Sequence, residues 1–164
     1  MASELDELWK LLESFNTAIL VTRGRDGHYH ARPMEMQHHG PAGALWFCTS
    51  MDSEKIQELR AEPHCAVALH GGGNSPTYVS ISGLADIVQD RGLIESMWRP
   101  SWKAWFPDGA TQPDLVLLRV RPEHVEYVNP STGRLKVLVT MIRRMVTHER
   151  VEPDEKHRVD LPAH

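Results

Sequence analysis

The sequence predicts a mainly β fold: an antiparallel sheet curled into a small barrel, with a few helices beside it. Short apolar runs rich in β-branched and aromatic residues follow one another closely from Thr17 to Val128. Turn chemistry separates them, as at Asp26-Gly27 and Gly40-Pro41-Ala42-Gly43. Helical spacing of apolar residues is confined to a few stretches, a balance that favours a barrel over an α/β architecture.

The first element is a helix. Leu5, Leu8, Trp9, Leu12 and Phe15 recur at helical spacing and make one apolar stripe, with Ser3 and Asp6 as a capping pair, so this helix is expected to cover part of the barrel. Strands follow. Thr17 to Thr22 is apolar, Arg23-Gly24-Arg25-Asp26-Gly27 turns the chain, and His28 to Met36 returns as the partner of a hairpin. Leu45 to Thr49 is the third strand, expected to pair with the second across the Gly40–Gly43 turn. A helix opens after Asp52, its expected N-cap, and stops before Pro63. His64 to Leu69 is the fourth strand, and a loop from Gly71 to Pro76 leads into a long one, Thr77 to Val88. There Tyr78, Ser80 and Ser82 share one face, and Val79 and Ile81 the other.

Asp90 caps a short helix carrying Leu93, Ile94, Met97 and Trp98. Beyond a tryptophan-rich loop, Leu115–Val120 and His124–Val128 read as two strands parted by Arg121-Pro122-Glu123. Leu135, Leu138, Ile142 and Met145 lie at helical spacing and the tail is read as a helix, with a strand over Val137-Leu138-Val139-Thr140 as the alternative and polar residues after His148. The whole reads as one domain spanning 1–164, its core about 5–147. No repeat or linker interrupts it.

Composition narrows the function classes. A chain of 164 residues buries roughly 70% of its unfolded surface, enough for a core without disulfides or structural metal. The net charge of −4 gives no general attraction for nucleic acid or anionic membrane. Cys48 and Cys65 stand alone in apolar strands and are expected to be reduced core residues. No hydrophobic run is long enough to cross a membrane, and the acidic start has no basic n-region, so a cytoplasmic protein is expected.

One corner concentrates chemistry. If the second and third strands pair across the Gly40–Gly43 turn, Arg32 comes near the end of the third, which Thr49 and Ser50 close and after which Ser53 and Lys55 open the next helix. Helix N-terminal amides and the helix dipole add partial positive charge, so hydroxyls and two cations here could cradle a phosphate; the local pattern equally fits Asp52 capping a surface helix whose Ile56 and Leu59 face the core, with Lys55 solvated.

The residues Arg32-Pro33-Met34, Trp46-Phe47-x-Thr49 and Ser53-x-Lys55-Ile56-x-x-Leu59 resemble the flavin-binding split-barrel proteins related to pyridoxamine 5'-phosphate oxidase, closest in pattern to the bacterial general stress branch. Later pieces agree in order: Tyr78-x-Ser80-x-Ser82-Gly83-x-Ala85, Trp98, Trp102-x-x-Trp105-Phe106-Pro107-x-Gly109, Pro113-Asp114-Leu115 and Glu126-Tyr127. The resemblance implies a homodimer of six-stranded antiparallel split barrels with FMN at the subunit boundary; FAD, a deazaflavin or haem in the same barrel is the alternative ligand. It implies that Arg32 and Lys55, with Ser53, contact the flavin phosphate. Pro33, Met34, Phe47, Cys48, Thr49 and Ser50 would run along the ring and ribityl chain, and Trp102 or Trp105 of the second subunit would pack near the ring.

The implied activity is a flavin-dependent oxidoreductase on a small molecule, with NAD(P)H as a candidate reductant. The alternative is a flavin-binding stress protein without turnover. No obligatory catalytic side chain is expected, because a bound flavin supplies the redox chemistry. The stretch Val125-Glu126-Tyr127-Val128-Asn129-Pro130 lacks the arginine–histidine arrangement with which true pyridoxamine phosphate oxidases grip substrate, so vitamin B6 oxidation is not expected. Ten histidines complete no recognisable metal motif, and no Gly-x-Ser-x-Gly elbow marks a serine hydrolase.

Overall fold

In a computed structural model, residues 4–71, 77–128 and 135–139 are described, the last group by backbone alone. Ser3 with its expected capping role, the loop from Gly72 to Pro76, and Ile142 and Met145 of the expected tail helix lie outside the described residues. Helix α1 (Glu4–Leu12) buries Leu8 and Leu12, and Phe15 follows them into the core after a turn closed by Ser14 N–H donating to the Leu11 carbonyl. Leu5, at the outer end of the stripe, stays exposed.

Strands β1 (Thr17–Arg23) and β2 (Tyr29–Glu35) form the expected hairpin. Gly27 turns it at φ +84°, a left-handed conformation that glycine adopts without a Cβ penalty, and Asp26 accepts from the His28 N–H. Strand β3 (Leu45–Ser50), helix α2 (Glu54–Ala61), β4 (His64–Gly71) and β5 (Thr77–Val88) follow as read. Helix α3 (Arg91–Met97) is capped by the Asp90 side chain, which accepts from Leu93 N–H at 3.0 Å. Two 3-10 turns, Pro100–Ala104 and Gly109–Thr111, carry the tryptophan-rich segment into β6 (Leu115–Val128).

Three expectations are corrected. First, Leu115 to Val128 is one strand, not two. Pro122 is accommodated because the register with β5 shifts between Ser82 and Gly83: Ser82 faces His124 and Gly83 faces Pro122, so Glu123 is the extra residue of a bulge. Second, the tail continues as a strand, β7 (Leu135–Val139), rather than a helix. It pairs with His124–Val128 of β6, beyond the stretch that β3 covers. Unpaired strand backbone there outweighs the helical spacing of the side chains. Third, β2 and β3 do not form a hairpin; β2 pairs with β1, and β3 with β6.

The strand order is β2-β1-β4-β5-β6-β3, with β7 joined to β6. The six-strand antiparallel path curls into a half-barrel, and its two ends meet at a bridge where Gln37 N–H donates to the Trp46 carbonyl at 2.9 Å. Inside lie Leu20, Phe47, Val67, Ile81, Leu118 and Val125, capped by α1 and by Ile56 and Leu59 of α2. A second cluster of Trp46, Ile94, Met97, Trp102, Phe106, Leu115 and Leu117 covers the other face of β3 and β6. Burial on both faces is why β3 reads as a continuous apolar run rather than an alternating one.

Candidate functional site

The corner where β3 passes into α2 is held by hydrogen bonds that follow from its polar residues. Ser50 donates to Asp114 at 2.7 Å and accepts from the Asp52 N–H. Met51 N–H donates to the Asp114 carbonyl. The N-cap is Ser53, one residue later than the expected Asp52, and its side chain makes no capping hydrogen bond. The Ser53 hydroxyl lies 3.3 Å from that of Thr49, and Lys55 Nζ donates to Thr49 Oγ1 at 3.0 Å. Lys55 is half-buried and has no carboxylate within ion-pairing distance among the described residues. Its pKa is lowered first by burial, then by the nearby Arg32 charge, against the opposing pull of Glu58.

Arg32 reaches this corner from β2, but not alone. Thr22 of β1 faces His30 directly across the hairpin, and Arg32 lies two residues along the same face of β2. Helix α2 sets Glu58 against all three. Arg32 Nη1 donates to Thr22 Oγ1 at 3.0 Å and to Glu58 Oε2 at 3.0 Å, and Nη2 donates to the same carboxylate oxygen at 3.1 Å. Thr22 donates to Glu58 Oε2, and His30 Nδ1 meets Oε1 in a short contact. The Glu58 side chain is 4% exposed and that of Arg32 20%. Burial alone would raise the Glu58 carboxyl, but hydrogen bonds from Thr22, Arg32 and His30 together hold it below its ordinary value.

Thr22, His30 and Glu58 are the members that sequence reading missed. The available signal was weak: Lys55 and Glu58, three apart, share a helix face, a spacing that usually marks a solvated ion pair. A cleft of about 320 Å³ opens beyond them, lined by Gly24, Arg25, Asp26, His30, Glu54, Gln57 and Glu58. His30, Glu54 and Glu58 bring ligand-type atoms within 4.8 Å of one another, but this cluster already holds a cation, the Arg32 guanidinium.

The remaining candidates separate by depth. Pro33 is exposed, Met34 is buried, and Phe47 is a fully buried core residue. Cys48 is half-buried and Cys65 buried, both are free thiols, and burial pushes each up to about 12, so both stay protonated. Trp102 is wholly enclosed in the second cluster, edge-on to Trp98 at 5.6 Å between ring centroids, and its Nε1 has no hydrogen-bond partner among the described residues. Trp105 is 65% exposed. The fold thus brings Thr49, Ser53 and Lys55 into contact, with Arg32 bound to Thr22 and Glu58 yet near enough for its charge to lower the Lys55 pKa. It commits Ser50 to Asp114 and leaves Trp105 as the open aromatic of its segment.

Comparisons with known proteins agree with this architecture. The family described as "Pyridoxamine 5'-phosphate oxidase like" matches residues 3–152. General stress protein 26 of Bacillus subtilis (strain 168) is 30% identical over 105 residues, covering 63% of this chain and 73% of that relative. The crystal structure of General Stress Protein 26 from Bacillus anthracis superposes with a TM-score of 0.70 at 25% identity, covering 84% of this chain and 100% of that one. A heme binding protein from Mycobacterium smegmatis shares the fold, with a TM-score of 0.66 at 19% identity. The match takes in 85% of this chain but only 59% of that longer one.

Proposed function

Because the chain belongs to the pyridoxamine 5'-phosphate oxidase-like family and is homologous to General stress protein 26, we propose that it binds FMN through the β3–α2 corner, as a homodimer, and serves as a flavin-dependent oxidoreductase on a small molecule. The observation that carries this reading is Lys55: a half-buried ammonium without a carboxylate partner among the described residues, beside two hydroxyls at a helix start. A phosphate monoester supplies the missing negative charge and enough acceptor oxygens for Lys55, Thr49, Ser53 and the first-turn amides. Pro33-Met34 and the β3 backbone from Phe47 to Ser50 would flank the flavin. Bound FMN supplies hydride transfer; the protein's part is to hold the phosphate, seat the ring against apolar strand residues and limit water access.

A second copy is supported by the outer face of the sheet. Ile19 and Val21 of β1 lie between Pro33 and Ala31 of β2 on one side and Ala68 and Ala66 of β4 on the other, a continuous uncharged patch that is exposed or half-buried. Ser80 and Ser82 extend it along β5. Such a face on a soluble chain marks an interaction surface. Trp105, the open aromatic, is the residue of its segment best placed to reach a neighbouring protomer's flavin; Trp102 is enclosed in the protomer's own second cluster.

The test is a titration of purified protein with FMN. Wild type should bind it with the absorption bands of oxidised flavin, and Lys55→Ala should weaken binding roughly tenfold to a hundredfold, the worth of a charge-assisted phosphate contact. Unchanged affinity in Lys55→Ala would remove the phosphate assignment, and a Soret band with added haem but no flavin uptake would favour the ligand named for the mycobacterial neighbour. Anaerobic mixing of the holoprotein with NADH or NADPH separates enzyme from carrier: fast bleaching supports turnover, while slow bleaching supports a protein that stores or senses FMN.

A further inference from the structure

Taking the phosphate seat just proposed as its premise, we infer that Glu58 is a positioning residue, which holds the Arg32 guanidinium so that one donor edge remains for the phosphate monoester. A guanidinium has five N–H donors in a fixed planar fork. Three are spent: both on Nη1, to Thr22 and Glu58, and one on Nη2, to Glu58. The carboxylate thus takes the end-on edge between Nη1 and Nη2. The side edge, Nε–H with the second Nη2–H, has no partner among the described residues. Two parallel donors on one edge match two oxygens of one phosphate.

The support around Glu58 is complete, which is what a positioning role requires. Oε2 accepts from Arg32 and Thr22, Oε1 from His30, and the side chain is almost wholly enclosed. A bare surface ion pair would leave Arg32 free to swing. Here strand pairing fixes Thr22 and His30, α2 fixes Glu58, and together they fix the guanidinium plane. The buried carboxylate also offsets the repulsion between Arg32 and Lys55, allowing two cations to stand at one corner.

The experiment compares FMN with riboflavin, which lacks the phosphate, on the full-length apoprotein. Wild type should prefer FMN. Glu58→Ala should weaken FMN about tenfold and leave riboflavin unchanged, because only the phosphate contact depends on Arg32 orientation. Glu58→Gln should retain wild-type FMN affinity to within about threefold, since its amide oxygen accepts from Arg32 and its NH₂ donates to His30 once the imidazole takes the tautomer with Nδ1 unprotonated. In an Arg32→Ala background, Glu58→Ala should have no further effect. Thr22→Val, which keeps shape and removes the hydroxyl, should weaken FMN about threefold, and it decides the matter if Glu58→Ala fails to fold. FMN affinity unchanged in Glu58→Ala and Thr22→Val, or both flavins weakened equally, overturns the positioning role alone. A wild-type chain that binds FMN no better than riboflavin overturns the phosphate seat, and the inference with it.

Discussion

Lys55 holds its proton less tightly than a solvated lysine, because burial and Arg32 both disfavour the cation. The folded pKa lies below 10.5 and that of the unfolded chain near it, so the charged side chain burdens the empty fold below the folded pKa. The burden is relieved as pH rises from that pKa towards 10.5. Phosphate binding works in the opposite sense, since it needs the proton. FMN affinity should therefore fall on the alkaline side as pH passes the lowered Lys55 pKa, and Lys55→Arg, whose guanidinium does not titrate there, should flatten that limb. Titrations across an alkaline pH series check this; an identical limb in wild type and Lys55→Arg would detach the effect from Lys55. Glu58 gives the acid-side counterpart. Its folded pKa lies below 4.5, so its contribution to stability is present above that value and lost as pH falls through the folded pKa. Melting curves of wild type and Glu58→Gln should converge at the acid end.

At the scale of elements, the β5–β6 bulge decides how one long strand serves two neighbours. A Cβ at Gly83 would sit 2.3 Å from the Arg121 carbonyl oxygen, a backbone atom that cannot move aside without breaking the bulge. Gly83→Ala should destabilise the fold by about 1–3 kcal/mol, the usual range for forced overpacking, as read by urea denaturation. The α3 cap is the control. Asp90→Ala removes one side-chain bond to Leu93 N–H and should cost about 1 kcal/mol without disturbing the sheet. The two sites differ in legibility. The Asp90 cap could be read because its signal lies within a few residues, whereas Gly83 gains its meaning only from Arg121 and Pro122, which local patterning had placed between two strands.

For the whole molecule, the uncharged outer face of β1, β2 and β4 and the exposed Trp105 bear on assembly. Ile19 is 39% exposed and contributes little to the protomer's own core, so Ile19→Glu should leave the monomer folded while placing a charge in the middle of the patch. Sedimentation should show wild type as a dimer and Ile19→Glu as a monomer, with weaker FMN binding if the proposed site is shared between protomers. A folded Ile19→Glu chain that still sediments as a dimer would place the interface elsewhere. If the site is shared, FMN should also raise the melting temperature, since at about a hundredfold excess over Kd a ligand adds about 2.7 kcal/mol to the folded state.

Local signals determined much of this protein: the Asp26-Gly27 turn, the Asp90 cap, the alternation of β5 and the corner that gathers Thr49, Ser53 and Lys55 within seven residues of chain. Each depends on neighbours close in sequence, where patterning and turn chemistry act. The tertiary structure decided what depends on partners far apart in sequence. It joined Leu115–Val128 into one strand, turned Leu135–Val139 from a helical pattern into a strand on β6, and put β6 rather than β2 beside β3. Above all it surrounded Arg32 with Thr22, His30 and Glu58, three residues that no local pattern selects. Their role comes from burial, where a charge must find its counter-charge and hydrogen bonds wherever the fold brings them.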